Sequence, residues 1–399
     1  MITDKFRQPE GRFALTNGRV ILPQEIETGK VVVVEEGKIV GVGSADSLDT
    51  GTQRIDVGGR YIAPGLIDIH IHGALGHTFN EPTVQSFATI TEENARHGVT
   101  SLLATVATAP IPHLVECLEF SRQWMVEPRN GSHVLGVHLE GPYLARTQRG
   151  ALDPETMRTP DDGTADVLLE HQDVIRIMSY APELPGALEL TARLARLGIV
   201  PAAGHSAARD EDVLAAMKVG LRHIIHLWSA QGGMVREGPW RKPGLLEASL
   251  AFDGLTVEII ADNKHLPPTL MGLAYKCIGA DRLCLISDAT SGAGLPEGAR
   301  FRMGDIEYEV HDGVGMTFDR TSFAGSTTLM NQMVPILTDV VNVPLVEAIQ
   351  MVTLTPARVI GVGDRKGSLE IGKDADIAVF EEDFSAWRTM IGGQWVYST

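Results

Sequence analysis

The sequence predicts an α/β fold, an eight-stranded (β/α)8 barrel of the TIM type with a small β domain beside it to which both termini contribute. Three observations lead there. Short apolar runs alternate with stretches of helical periodicity between residues 65 and 288, the pattern of repeated βα units. Potential metal ligands stand at the C-terminal ends of several of those runs, where a barrel brings its strand ends to one mouth. The segments before and after this region read as β without an amphipathic helix.

In chain order, residues 11–62 hold short β signals: Arg12-Phe-Ala-Leu-Thr, Arg19-Val-Ile-Leu, Lys30-Val-Val-Val-Val-Glu and Lys38-Ile-Val-Gly-Val-Gly, separated by Gly and Asn-Gly turns. After Pro64-Gly65, eight strands are expected at 65–72, 99–106, 133–140, 175–181, 198–205, 223–228, 256–261 and 282–288. Segments 83–97, 186–197 and 208–220 carry the i, i+3/i+4 apolar spacing of covering helices. From Gly367 the texture returns to β, so the expected division is a small domain from 1–62 and 360–399 around a catalytic barrel at 63–359.

Composition narrows the function. A formal charge of −17 argues against a nucleic-acid or anionic-membrane surface, and an anionic substrate would need its own basic pocket. No run approaches the length of a membrane span, and the first ten residues lack the apolar core of a leader, so the expected location is the cytoplasm. Cys117, Cys277 and Cys284 are widely spaced and are read as reduced core thiols.

The candidate ligands are His70 and His72 in Gly65-Leu-Ile-Asp-Ile-His-Ile-His-Gly73, Glu140 after Val134-Leu-Gly-Val-His-Leu139, His205, His226 and Asp288. Side chains alternate along a strand, so a His-X-His places both imidazoles on one face with Asp68. A lone histidine there is ordinarily a hydrogen-bonded core residue, and a lone Glu140 could be half of a salt bridge. A buried carboxylate requires a cation, a proton or several donors. Ligand-type residues on five strand ends together favour a metal-dependent hydrolase.

The block Ala63-Pro-Gly-Leu-Ile-Asp-Ile-His-Ile-His-Gly resembles the amidohydrolase superfamily. His138-Leu-Glu-Gly-Pro-Tyr, Ala181-Pro-Glu, Ala203-Gly-His-Ser, Ile286-Ser-Asp-Ala-Thr, Ala324-Gly-Ser and Thr355-Pro-Ala are similar to N-acetylglucosamine-6-phosphate deacetylases. The resemblance implies a barrel with a β-sandwich built from both termini, a homodimer, one or two divalent metal ions per chain with Zn2+ foremost, and hydrolysis of the acetamide of an N-acetylhexosamine 6-phosphate. It implies Glu140, His205 and His226 as principal ligands, His70 and His72 as completing a second site bridged by Glu140, and Asp288 as the catalytic carboxylate. Arg241 and His265 match the residues that hold the sugar phosphate, often from the neighbouring subunit, and Ser229 and Ala230 fall in the substrate-binding loop. Strand four carries no Lys of the kind that bridges metals in hydantoinases and dihydroorotases.

Three positions depart from the family pattern: Leu152 where it has His, and Ser229 and Gln231 where it has Asn and Met, in a longer loop before Arg241. They leave open a related amidohydrolase acting on another N-acyl amino sugar or a cyclic amide. A silent barrel used as a sugar-binding module is the third possibility. Asp288 argues against it, since binding needs no proton-transfer group.

Overall fold

The structure, a computed structural model, describes residues 8–126, 130–304 and 306–399. Residues 1–7, on which the reading of the leader rests in part, lie outside the described residues.

The eight expected strands are β1 (Leu66–Ile71), β2 (Val99–Ala107), β3 (His133–Glu140), β4 (Ile175–Tyr180), β5 (Val200–Ala203), β6 (His223–Ile224), β7 (Thr256–Ile260) and β8 (Leu283–Ile286). All pair in parallel with their sequence neighbours. Buried on both faces, they need near-continuous apolar sequence, which is why Leu66, Ile67, Val137, Ile177, Val257 and Leu285 are inaccessible to solvent. The barrel closes past the ends of the first and last strands, where Asp288 N–H donates to the His70 carbonyl (2.9 Å) and His72 N–H to that of Ala289 (2.8 Å).

Helices α1 (Val84–Arg96), α2 (Ile111–Val126), α3 (Thr164–Leu169), α4 (Ala187–Arg196), α5 (Asp210–Val219), α6 (Leu245–Ala251) and α7 (Pro268–Ile278) return the chain between strands. The first shows the local logic. The Thr83 hydroxyl accepts from Ser86 N–H to cap it, Phe87 and Ile90 face the barrel, and Gly98, at φ 80°, turns the chain into β2. A side chain on Gly98 would also strike the Phe380 ring, 2.5 Å from the Cβ position.

Both termini build the β-sandwich. One sheet orders Lys38–Ser44, Lys30–Glu35, Phe13–Thr16 and Gln53–Asp56; the other runs from Gln394–Ser398 through Ala386–Ile391, Ile377–Phe380, Tyr61–Pro64 and Arg19–Ile21 to Ile26–Thr28. N- and C-terminal chain meet where Ile62 pairs with Val379. Phe13, Leu15, Val32, Ile62, Ile377 and Trp395 fill the space between.

One element has no counterpart in the sequence analysis. After β8 the chain makes a four-stranded antiparallel sheet, Arg300–Met303, Ile306–His311, Val314–Met316 and Phe323–Ser326, over its own small core of Phe301, Tyr308, Val310 and Ala324. The Tyr308 hydroxyl donates to the Ala151 carbonyl (2.6 Å), pinning the loop after β3 across the barrel mouth. Cys117 and Cys284 are buried as expected, but Cys277 is exposed, because it falls on the outer face of α7. Among the described residues no helix is long and apolar enough to cross a membrane.

Candidate metal centre

Six strand-end residues converge at the mouth. Glu140 is the hub: its Oε1 lies 3.1 Å from His226 Nε2, 3.2 Å from His205 Nε2 and 3.5 Å from His70 Nε2, and its Oε2 lies 3.4 Å from His72 Nε2. Asp288 Oδ1 is 3.3 Å from His72 Nε2 and 3.7 Å from His70 Nε2. Glu140, His205 and His226 form one compact donor triad, and His70, His72 and Glu140 a second. Donors around a tetrahedral ion at about 2.0–2.1 Å stand roughly 3.3 Å from one another, which these separations match.

Local backbone aims these side chains. His205, His226 and Asp288 have left-handed φ angles of 45°, 26° and 46°. Such a conformation costs a non-glycine residue on the order of 1 kcal/mol and is held where the surroundings over-determine it, as at functional sites. Strands β5 and β6 consequently end earlier than the apolar runs, and their last residues bend into the mouth. Gly73, directly after His72, is required by a close approach: a Cβ there would lie 2.1 Å from the His77 carbonyl oxygen.

The electrostatics call for a cation. Glu140, Asp288 and Glu258 are buried, and their ion-pair partners among the described residues are all imidazoles. Burial opposes a charge on His70, yet the Glu258 carboxylate, followed by Glu140 and Asp288, holds its pKa well above the usual histidine range. Against the same burial, hydrogen bonds from His205 and His226, with the imidazoles of His70 and His72 close by, hold the Glu140 carboxyl well below its ordinary value, and His72 lowers that of Asp288. A site that draws a proton onto His70 is one where a divalent ion can neutralise the carboxylates instead. His70 Nε2, His72 Nδ1 and His226 Nδ1 are buried without a hydrogen-bond partner, and His70 Nε2 points at the cluster as a ligand atom would. The donor set therefore fits a divalent metal.

Sequence reasoning passed over several supports. Glu258, in the middle of β7, accepts from His70 Nδ1 (2.8 Å), His223 Nε2 (2.9 Å) and His226 N–H (3.2 Å). A carboxylate inside Thr256-Val-Glu-Ile-Ile was a visible signal, subject to the same desolvation argument as Glu140. The buried His138 is pushed down to about 3 by burial and by His70; its ring bridges Ser179 Oγ and the Ile69 carbonyl. Asp68, which the strand alternation had already placed with the two imidazoles, accepts on Oδ1 from His70 and Ser287 N–H and is pushed up to about 7 by burial. Glu183 accepts from Ser206 Oγ (2.7 Å) and Ala207 N–H (2.6 Å), bracing the turn after His205.

The pocket above the cluster is lined by His265, Ser229, Ala230 and Leu152, with Phe323 and Met303 from the added sheet. His265 Nδ1 is tied to Asp262 Oδ2 (2.7 Å), leaving Nε2 as the ring atom available to a ligand. Gln231 does not enter the pocket: it accepts from Trp228 N–H and donates to the Ile225 carbonyl, stapling the loop that carries His226. Arg241 is also outside it. It sits on an exposed hairpin, Val235–Glu237 and Trp240–Lys242, and its guanidinium donates to the Pro239 carbonyl.

Residues 61–396 match the model of the amidohydrolase family. The chain is 32% identical over 381 residues to an N-acetylglucosamine-6-phosphate deacetylase of Vibrio furnissii, covering 95% of this chain and 94% of the relative. It is likewise 32% identical over 334 residues to an N-acetylgalactosamine-6-phosphate deacetylase of Escherichia coli O157:H7, covering 84% and 87%. The crystal structure of the N-acetylglucosamine-6-phosphate deacetylase from Pasteurella multocida superposes with a TM-score of 0.91 at 28% identity, covering 97% of this chain and all of that one.

Proposed function

Because the chain belongs to the N-acetylglucosamine-6-phosphate deacetylase family of the amidohydrolases, we propose that it hydrolyses the acetamide of an N-acetylhexosamine 6-phosphate, releasing acetate and the amino sugar phosphate. The observation that carries this reading is the Glu140 carboxylate encircled by four imidazoles at the barrel mouth, with Asp288 beside them. The same family membership disfavours the cyclic-amide alternative.

Glu140, His205 and His226 would hold one divalent ion, Zn2+ by donor type, and His70, His72 and Glu140 would hold a second. Such an ion supplies Lewis-acid polarisation of the amide carbonyl and acidifies water. Asp288 takes the proton of the attacking water on its carboxylate and returns it to the leaving nitrogen, serving first as base and then as acid. Glu258 fixes the His70 ring through Nδ1 so that Nε2 faces the reaction. His265, oriented by Asp262, donates from Nε2 to the sugar phosphate, and Ser229 and Ala230 shape the sugar's seat.

Arg241 completes the phosphate clamp from the neighbouring subunit of a homodimer, consistent with its position on an exposed hairpin beside Trp240, which is 71% exposed. We place the enzyme in the cytoplasm and divide it into the barrel at 63–359 and the terminal β domain at 1–62 and 360–399.

The test is a hydrolysis screen of N-acetylated glucosamine and galactosamine, with and without 6-phosphate, on metal-reconstituted protein, together with metal analysis. Turnover of the phosphorylated sugars, abolished by chelation and restored by Zn2+ or another divalent ion, is the expected result. Full activity in metal-free protein overturns the metal assignment, and failure on every acetamide overturns the activity.

A further inference from the structure

The pocket at the barrel mouth has two lobes. One, of about 330 Å3, ends at His265, Ser229 and Ala230. The other, of about 340 Å3, runs toward the loops after β1 and β2 and is walled by Thr78, Asn80, Thr108, His113, Thr156 and Arg302. His72, Ala107, Ala151, Leu152 and Met303 line both; of the clustered residues His72 reaches the second lobe, while Glu140, His205, His226 and Asp288 line the first.

We infer that the second lobe is an acyl subsite, and that the enzyme also removes neutral N-acyl chains of three or four carbons from the same sugar phosphate. The inference rests on the deacetylase reading above. A scissile amide held beside His72 has two flanks. The sugar and its phosphate occupy the flank toward His265, so the acyl chain leaves the carbonyl carbon toward the other lobe. An acetyl methyl needs about the room of one water, roughly 30 Å3. The lobe, at about 340 Å3, offers some ten times that.

Its wall favours a neutral chain. The Asn80 side chain is engaged both ways with the Ala107 backbone, His113 Nε2 with the Asn80 carbonyl (2.7 Å), and Thr108 Oγ1 with Thr156 Oγ1 (3.0 Å). Glu81 and Asp153 also line the lobe and offset Arg302, so no net positive charge remains to recruit a carboxylate. At the junction, Leu152 and Met303 present apolar surface to the first methylenes. The chemistry is the same hydrolysis: water oxygen bonds to the acyl carbon, the C–N bond breaks, the nitrogen gains the proton, and propionate or butyrate leaves in place of acetate.

The experiment compares kcat/KM for the N-acetyl, N-propionyl and N-butyryl derivatives of glucosamine 6-phosphate in the wild type, Thr108→Phe and Thr156→Phe, with melting curves for each. In the wild type the butyryl compound should stay within about tenfold of acetyl. Each Phe variant, filling the lobe, should lower butyryl turnover by at least about tenfold while acetyl changes by less than about threefold, the discrimination that a methylene-sized intrusion produces. Rejection of butyryl by more than about 100-fold in the wild type overturns the acyl lobe alone, as do parallel losses on both substrates in folded variants. Failure on all three, acetyl included, overturns the deacetylase reading and this inference with it. If neither variant folds, the wild-type series decides.

Discussion

Replacing Asp288 by Asn separates the proposed chemistry from the architecture that carries it. The residue follows β8 at φ 46°, its N–H closes the barrel onto the His70 carbonyl, and its Oδ1 lies 3.3 Å from His72 Nε2. Asn matches Asp in size, tolerates the left-handed conformation almost as well, and keeps the closing N–H. The substitution therefore leaves the fold intact, with a melting temperature within about 3 °C of the wild type. What disappears is a carboxylate able to take and return a proton. A positioned acid–base group contributes about 10²–10⁴ in rate, so kcat should fall by that factor, equivalent to about 3–5 kcal/mol of barrier. The assay is steady-state deacetylation with metal content and melting measured on the same preparation. A kcat within about tenfold of wild type, or a loss accounted for by missing metal, refutes the assignment of proton transfer to Asp288.

Glu258→Gln keeps the shape of the side chain but removes the charge that orients His70, His223 and the His226 backbone; metal affinity measured by competition titration should weaken by about 10- to 100-fold. Unchanged affinity would deny Glu258 a positioning role. Arg241→Ala should erase most of the preference for the 6-phosphorylated over the unphosphorylated sugar, by about 2–5 kcal/mol in relative kcat/KM if the clamp is desolvated, whereas an unaltered preference removes Arg241 from the site. In α1, Glu93 accepts from His97, and chiefly for that reason its carboxyl titrates below its ordinary value of 4.5. A depressed folded value contributes stability above the unfolded one and loses it as pH falls through the folded one. The melting difference between wild type and Glu93→Gln should thus shrink as the pH falls below 4.5; a difference that does not change over that acid range would show that the pair does not contribute.

The eight strands, the covering helices and the six converging residues were legible along the chain. Strand burial and helical faces are written as local periodicities, and each ligand type stood at the end of a run whose length set its place at the mouth. The resemblance of its motif blocks gave the family, and the terminal β texture anticipated the sandwich, though not that Ile62 would pair with Val379. Features that depend on partners distant in the chain emerged from the packing of the fold. Glu258 was visible as a carboxylate in an apolar strand, but the imidazoles it serves, at 70 and 223, come from β1 and β6. Residues 306–311 alternate correctly for a strand, yet the sheet they join is defined by its contact with Ala151 across the mouth, and that contact shapes the pocket. Arg241 reads as a phosphate ligand in its motif and lies on an exposed hairpin in the fold. Cys277 looked like a core thiol until the rotation of α7 turned it outward. In each case the pattern along the chain fixes which face a residue occupies, while the packing of elements fixes what that face meets.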